Sequence, residues 1–176
     1  RLDATPHGAY HLRTPHDDKE GWERLSKIWP VYKPKRATIG VGISEAEPAE
    51  ISNFPYPSVV TIEKTDEEFV YQMVKMIHKN YDAYKDVLPA MTGWHIDKQD
   101  FHYLIPFHPG AIRYFKEVGK WNDEAEKHNQ ALLARQKALI DAFEEAKTEA
   151  SKKGMSAADF RKFWEEKRIS VLERLN

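Results

Sequence analysis

The sequence predicts an α/β protein, with a small sheet, flanking helices and a C-terminal helical hairpin. Two β-branched segments, residues 37–43 and 58–63, have the composition of strands. The next segment, Thr65-Asp66-Glu67-Glu68, has the spacing of a capping box and predicts the start of a helix. After residue 119 proline is absent and Ala, Glu, Lys and Leu dominate, which favours long helices. We therefore divide the chain into residues 1–119 and a helical extension over residues 120–176.

Before the first predicted strand, a short helix is expected from near Asp18 to Pro30. Aspartate at the cap and acid in the first turn suit the helix N-terminus. Its apolar residues fall on one face and are Trp22, Leu25 and Trp29. Residues 31–36 are expected to be a connector, and residues 44–57, with several prolines and glutamates, a loop or edge segment.

The helix that starts at Thr65 is expected to end near Asn80. Its apolar face is formed by Phe69, Val70, Met73, Val74 and Ile77. A short helix over residues 81–87 should end before Pro89, and residues 90–103 should form a loop.

Residues 104–119 are the most specific stretch of the chain. An apolar run ends in a His-Pro-Gly turn, and a short amphipathic helix then ends at a glycine. Pro109 suits the first helical turn, where its missing N–H costs nothing. Gly110 permits a close backbone approach, and Gly119 suits the position just after a helix. We interpret His108, at the start of this helix, as a hydrogen-bonding strut.

The extension is expected to hold two helices that form a hairpin. The first spans about residues 122–152 and ends at Lys153-Gly154, and the second is capped by Ser156. Apolar stripes at helical spacing support both. They are Ala125, Leu132, Gln136, Leu139, Phe143, Ala146 and Ala150 in the first, and Phe160, Phe163, Trp164, Val171, Leu172 and Leu175 in the second.

Composition excludes several classes of function. The 176 residues include 27 Lys and Arg against 28 Asp and Glu, for a net charge of −1, which argues against a nucleic-acid binder. There is no apolar run of transmembrane length and no visible signal peptide. The absence of cysteine excludes disulfides and thiol catalysis. A chain that starts at Arg1 is expected to be a fragment or a processed product.

No catalytic or metal-binding motif stands out. The eight histidines do not form a His-Glu-x-x-His signature, and we predict no metal site and no cofactor. There is no Gly-x-Ser-x-Gly elbow. A Ser/His/Asp triad without that elbow stays open, but we assign no catalytic residue and predict that the chain is not an enzyme.

Two arginines and several aromatic residues are candidates for binding. Arg36 and Arg113 can hold a carboxylate through two hydrogen bonds, although Arg113 can equally pair with Glu117 one turn later. The aromatic residues beside prolines or turns can line a cleft or pack in a core. They are Tyr32, Tyr56, Tyr103 and Phe107.

The motif Leu-Ile-Pro-Phe-His-Pro-Gly-Ala-Ile-Arg-Tyr-Phe-Lys-Glu-Val-Gly at residues 104–119 resembles the C-terminal motif of the TAXI family. These are the extracytoplasmic solute receptors of tripartite ATP-independent periplasmic (TRAP) transporters. Asn53-Phe54-Pro55-Tyr56-Pro57 and Phe69-Val70-Tyr71 are similar to segments that precede this motif in the family. The resemblance covers about residues 20–119. The family's N-terminal half has no counterpart here, and the hairpin is longer than its usual tail.

The resemblance implies part of a type II periplasmic-binding-protein lobe that closes around a small organic acid or amino acid without chemistry. It implies a periplasmic location, a small carboxylate ligand, and as partners the TRAP permease subunits and the N-terminal half of the receptor. The expected ligand-binding residues are Tyr56 and Pro57, near the hinge, with Arg36, Phe107 and His108. No nucleic acid is expected, and self-association is left open.

The alternative function belongs to a different class. The hairpin over residues 120–176 would expose its apolar stripe to a partner or to a second copy. The chain would then be a helical interaction or oligomerisation module with no small-molecule ligand.

Overall fold

The computed structural model describes residues 10–54 and 57–175. Within these residues the protein is mixed α/β and mostly helical, with a two-stranded antiparallel sheet. The predicted class, a small sheet with flanking helices, is confirmed in this general form. The chain divides into two units, Arg1–Val60 and Thr61–Asn176. The boundary expected at residue 119 lies inside the second unit.

The first unit contains α1 (Lys19–Ile28), β1 (Lys33–Ala37) and β2 (Ala49–Asn53). The helix begins as predicted, because the N–H of Gly21 donates to the Asp18 carboxylate at 2.9 Å. The two strands pair in a register that places Arg36 opposite Glu50.

Both predicted strand positions are wrong. Of residues 37–43 only Ala37 is in a strand, because the chain turns back at Gly40, whose carbonyl accepts from Ile43 N–H at 3.1 Å. Gly42 in this turn has a φ of +68°, which other residues rarely adopt. Residues 58–63 form no strand in the described structure, and the three apolar side chains among them are exposed.

The strands lie instead in the segment expected to be a connector, residues 31–36, and in the one expected to be a loop or edge segment, residues 44–57. Pro34 is tolerated in β1 because both strands of a two-stranded sheet are edges, where a missing N–H need not break a ladder.

All the regular secondary structure described in the second unit is helical, and loops connect the helices. Its α-helices are α2 (Glu67–Lys79), α3 (Tyr81–Tyr84), α4 (Pro109–Glu117), α5 (Asp123–Lys153) and α6 (Ala157–Glu173). The segment expected to be a loop contains two short 3-10 helices, Pro89–Trp94 and Ile96–Lys98. The cap of α2 is Asp66 rather than Thr65, since Phe69 N–H donates to the Asp66 carboxylate at 2.8 Å.

The core of this unit lies between α2 and α4 and is rich in aromatic rings. Its buried residues are Val70, Ile96, Ala111 and Phe115, with Val74, Phe101, Phe107, Val118 and Trp121 packed against them. The ring centres of Phe101 and Phe115 are 5.0 Å apart, and those of Phe107 and Trp121 are 5.4 Å apart. These are edge-on contacts of the kind that stabilise aromatic clusters.

The predicted hairpin is confirmed: α5 and α6 pack against each other. Ala142, Ala146 and Ala150 are buried on α5, and Phe143 meets Trp164 of α6 with ring centres 4.9 Å apart. Among the helices described, none combines the length and apolar composition needed to span a bilayer.

Candidate functional site

The His-Pro-Gly turn is the N-terminus of α4. His108 is the N-cap, in an extended conformation, and Gly110 N–H donates to its Nδ1 at 3.2 Å. Pro109 is the first helical residue, as predicted from its missing N–H. The imidazole therefore holds the first turn of the helix, as expected for a strut.

Gly110 is the point where α4 crosses α2. A Cβ at this position would lie 2.9 Å from the backbone nitrogen of Tyr71 and 3.1 Å from the Cβ of Val70, and closer still to the carbonyl oxygen of Glu67. The first of these distances is shorter than real Cβ atoms show, so only glycine allows the two helices to approach this closely.

A row of polar side chains runs along the same helix pair. Tyr71 donates its hydroxyl proton to Glu117 at 2.5 Å, and Lys75 donates to the Tyr71 oxygen at 3.0 Å. The Arg113 guanidinium lies 4.0 Å above the Tyr71 ring and pairs with Glu68 at 2.8 Å. Hydrogen bonds from Gln72, and then from Arg113, lower the pKa of Glu68.

This arrangement decides between the two roles expected for Arg113. It is engaged by α2, chiefly by Glu68, and not by Glu117, which is occupied by Tyr71 and Lys75. Arg113 therefore stabilises the helix pair and is not left free for a ligand carboxylate.

Phe107 is placed in the aromatic core, half-buried against Phe101, Phe115 and Trp121. Its N–H donates to the Asn129 side chain of α5 at 2.8 Å. Both the ring and the backbone of Phe107 are therefore held by residues of the second unit.

The sequence analysis missed Asn129. It is buried, and it connects the long helix to the turn before α4. The available signal was its position four residues after Ala125, where an amide interrupts the apolar stripe of α5.

Two of the remaining candidates lie in the first unit. Arg36 is exposed on β1, and Glu50 opposite it pairs with Arg13 at 2.6 Å. Within the described residues Arg36 makes no ion pair or side-chain hydrogen bond. Pro57 is exposed, and Tyr56 lies outside the described residues. Within the second unit, the two candidates Phe107 and His108 are neighbours in the chain.

Neither of two shallow surface grooves involves these candidates. One, of about 410 Å³, lies over α1 and is lined by His16, Lys19, Trp22, Glu23, Ser26 and Pro34. The other, of about 620 Å³, lies along α5 and is lined by Asp141, Glu144, Glu145, Thr148, Glu149 and Lys152. Over residues 10–54 and 57–175, no group of three or more His, Asp or Glu side chains is arranged to hold a metal ion.

Comparison with known proteins gives one match. The model of the NMT1-like family matches residues 22–119, which is more than half of the chain. Neither the curated proteins nor the solved structures contain a significant match. The matched segment begins within α1 and ends at Gly119, just after α4. The chain therefore belongs to the NMT1-like family, a periplasmic binding-protein-like family related to the solute receptors of TRAP and ABC transporters, which suggests solute binding as its general role.

Proposed function

We propose that the chain is the C-terminal part of a TAXI-type solute receptor that serves a TRAP transporter. It acts in the periplasm, where it captures a small organic acid or amino acid and delivers it to the membrane permease. The observation that carries this proposal is the family match over residues 22–119. The match ends at Gly119, the same residue that ends the TAXI-like motif.

The structural role of the motif supports a receptor that binds its solute without catalysing a reaction. His108, Pro109 and Gly110 hold the start of α4 and its crossing with α2. A receptor of this type needs rigid lobes that close as bodies around a ligand. Residues that stiffen one lobe contribute to binding without contacting the solute.

An exposed cation and an exposed apolar segment support a pocket that this chain forms only in part. Arg36 has an exposed guanidinium that makes no ion pair with residues 10–54 or 57–175, which suits a carboxylate. The apolar side chains of Val59, Val60 and Ile62 are between 65% and 73% exposed. We propose that the N-terminal half of the receptor covers this segment and supplies the remaining solute contacts.

Isothermal titration calorimetry tests both parts of the proposal. The chain is titrated with glutamate, 2-oxoglutarate and succinate, alone and as a longer protein that includes the upstream coding sequence. We expect no micromolar response from the chain alone and micromolar binding of one of these acids by the longer protein. A micromolar response from the chain alone contradicts the shared pocket. If the longer protein binds none of the three acids, the proposal that it is a receptor for this class of solute is wrong.

A pair of variants in the longer protein tests the proposed contact. Arg36→Gln removes the exposed guanidinium, and Lys35→Gln removes the neighbouring exposed cation on the same strand. We expect Arg36→Gln to weaken binding by at least about tenfold, because a charge-assisted pair to a carboxylate is lost, and Lys35→Gln to change it little. Equal losses in both variants would mean that only the overall charge matters.

A second candidate function, self-association through the hairpin, is favoured by a separate observation. Four apolar side chains of the hairpin segment are between 41% and 51% exposed, namely Leu133 and Ile140 on α5, Ile169 on α6 and Leu175 just after α6. Light scattering of the full chain and of Ile140→Lys decides this case. A dimer that becomes a monomer in the variant supports association, and a monomeric wild-type chain contradicts it.

A further inference from the structure

A histidine–tyrosine hydrogen bond joins the C-terminal turn of α2 to the middle of α4. The Tyr114 side chain is fully buried, and its hydroxyl lies 2.8 Å from Nδ1 of His78. No other hydrogen-bond partner of this hydroxyl occurs within the part of the chain that the structure describes. The tyrosine therefore donates to Nδ1, and the proton of the neutral imidazole is on Nε2.

Protonation of His78 reverses this hydrogen bond. An imidazolium ring has two donors and no acceptor, so the Tyr114 oxygen would have to accept from Nδ1. The hydroxyl proton of Tyr114 would then need a new acceptor inside the interface. A buried donor without a partner destabilises the state that contains it.

The charged groups that face His78 favour the neutral ring. Lys79 follows it on α2, Lys120 follows α4, and His95 lies at the start of the second 3-10 helix. The carboxylate on that side, Asp97, pairs with Lys120 at 2.5 Å. No carboxylate among the facing groups is thus left free to neutralise an imidazolium.

Two further charged groups near His78, Lys75 on α2 and Asp82 on α3, are also paired. Lys75, one turn before His78, is bound to the Tyr71 hydroxyl and lies 3.9 Å from Glu117. Asp82 of α3 pairs with Lys85 at 2.6 Å. Unlike these paired groups, His78 in its contact with Tyr114 can gain a charge near neutral pH.

The helix crossing beside this contact has little room to adjust, because Gly110 already brings α4 against the backbone of α2. We propose that the His78–Tyr114 hydrogen bond is a pH-sensitive latch between α2 and α4, closed while His78 is neutral and released when it is protonated. The two helices separate more readily in mildly acidic solution.

The pH direction follows from linkage. Burial, followed by the charges of Lys79 and His95, lowers the pKa of His78 from its ordinary value of 6.5, while Asp97 acts in the opposite sense. As pH falls below 6.5 the unfolded chain takes up this proton before the folded one. The contribution of His78 to stability is therefore complete above 6.5 and is lost as pH falls through the lowered pKa of the folded state.

An NMR titration of the histidine side chains in the full chain tests the latch directly. In wild type we expect His78 to titrate below the ordinary range of an imidazole. In Tyr114→Phe, protonation of His78 leaves no hydroxyl without an acceptor, so the pKa of His78 should rise relative to wild type. If His78 titrates at the same pH in both proteins, the hydrogen bond is not a latch.

Thermal unfolding followed by circular dichroism, at about pH 7.5 and about pH 5, gives a second measurement. His78→Asn keeps an acceptor for Tyr114 but cannot be protonated, so it should lose part of the fall in Tm that wild type shows on acidification. The matched control is His102→Asn, which changes a half-exposed histidine beside Glu124 and should keep the wild-type fall. If His78→Asn loses as much Tm on acidification as wild type, the proposal is wrong.

Discussion

Gly110 of α4 lies so close to Glu67 of α2 that a Cβ at residue 110 would collide with the Glu67 carbonyl oxygen. The same Cβ would also lie only 2.9 Å from the backbone nitrogen of Tyr71. These are backbone atoms of a helix, which cannot rotate away as the end of a flexible side chain can. The spacing of the two central helices is therefore set by one missing methyl group.

Gly110→Ala should destabilise the protein by about 3 kcal/mol, at the upper end of the cost of overpacking a core. The gain expected from replacing glycine by alanine inside a helix, about 1 kcal/mol, is too small to offset the collision. Urea unfolding followed by circular dichroism measures the difference.

Gly93→Ala is the control for the same chemical change. No heavy atom lies within 4 Å of a Cβ built at Gly93, and its φ is not in the left-handed region. We expect a change within about 0.5 kcal/mol. Equal effects at residues 93 and 110 would show that the helix crossing has more room than the structure indicates.

His108→Ala should lower stability by about 1 kcal/mol, because the N–H of Gly110 loses its cap. His108→Asn should restore the loss, since asparagine is among the best N-cap residues. Differential scanning calorimetry compares the three proteins. If melting is unchanged in His108→Ala while the longer receptor loses solute binding, His108 contacts the ligand instead of supporting the helix.

The helices were predictable because their signals are local. The acid before α1, the Pro109-Gly110 start of α4 and the Ser156 cap of α6 each depend on residues within one turn. Even the one misassigned cap, Thr65 in place of Asp66, moved the start of α2 by a single residue. In such segments the sequence and the fold agree because no distant contact is needed.

The strands and the site were not predictable in the same way, because they depend on distant partners. Residues 58–63 have strand-forming side chains but no partner strand in the part of the chain that the structure describes. Lys33–Ala37, with a proline and three basic residues, is paired by Ala49–Asn53. Pairing, and not the composition of one segment, decided which residues became the sheet. The two residues of the Asn129–Phe107 hydrogen bond are 22 positions apart, so local sequence patterns could not predict it either.

Asn129→Ala should cost about 1–3 kcal/mol, because it leaves the N–H of Phe107 without its acceptor in a buried region. The effect should extend beyond α5, since this bond joins the helical extension to the turn before α4. Hydrogen exchange followed by mass spectrometry should show faster exchange over residues 104–110 as well as around residue 129.

Lys127→Ala, at an exposed position on the same helix, is the matched control for Asn129→Ala. It should stay within about 0.5 kcal/mol of wild type and leave exchange near Phe107 unchanged. If the two alanine variants behave alike, the amide does not hold the extension to the rest of the second unit.

The Glu126 carboxylate of α5 has three hydrogen-bond donors, of which Gln130 lies on the same helix while Trp121 and Lys116 connect α5 to the end of α4. Gln130 donates at 2.9 Å, Trp121 donates from its ring nitrogen at 2.8 Å, and Lys116 lies at 3.1 Å. These bonds, that of Gln130 foremost, lower the pKa of Glu126 from 4.5 to about 2. The folded protein therefore keeps this carboxylate ionised at a pH where the unfolded chain has already protonated it.

Glu126 should make the stability of the protein depend on pH between 4.5 and about 2. Its contribution is complete above 4.5 and is lost as pH falls through about 2, because the unfolded chain binds the proton first. Urea unfolding at neutral pH and at about pH 3 should show that Glu126→Gln loses less stability on acidification than wild type. The difference is reduced by solvent screening, since the side chain is 37% exposed. The control is Glu166→Gln, on the exposed surface of α6, which should lose as much stability on acidification as wild type. If Glu126→Gln is as sensitive to acid as wild type, the three donors do not hold the carboxylate in solution.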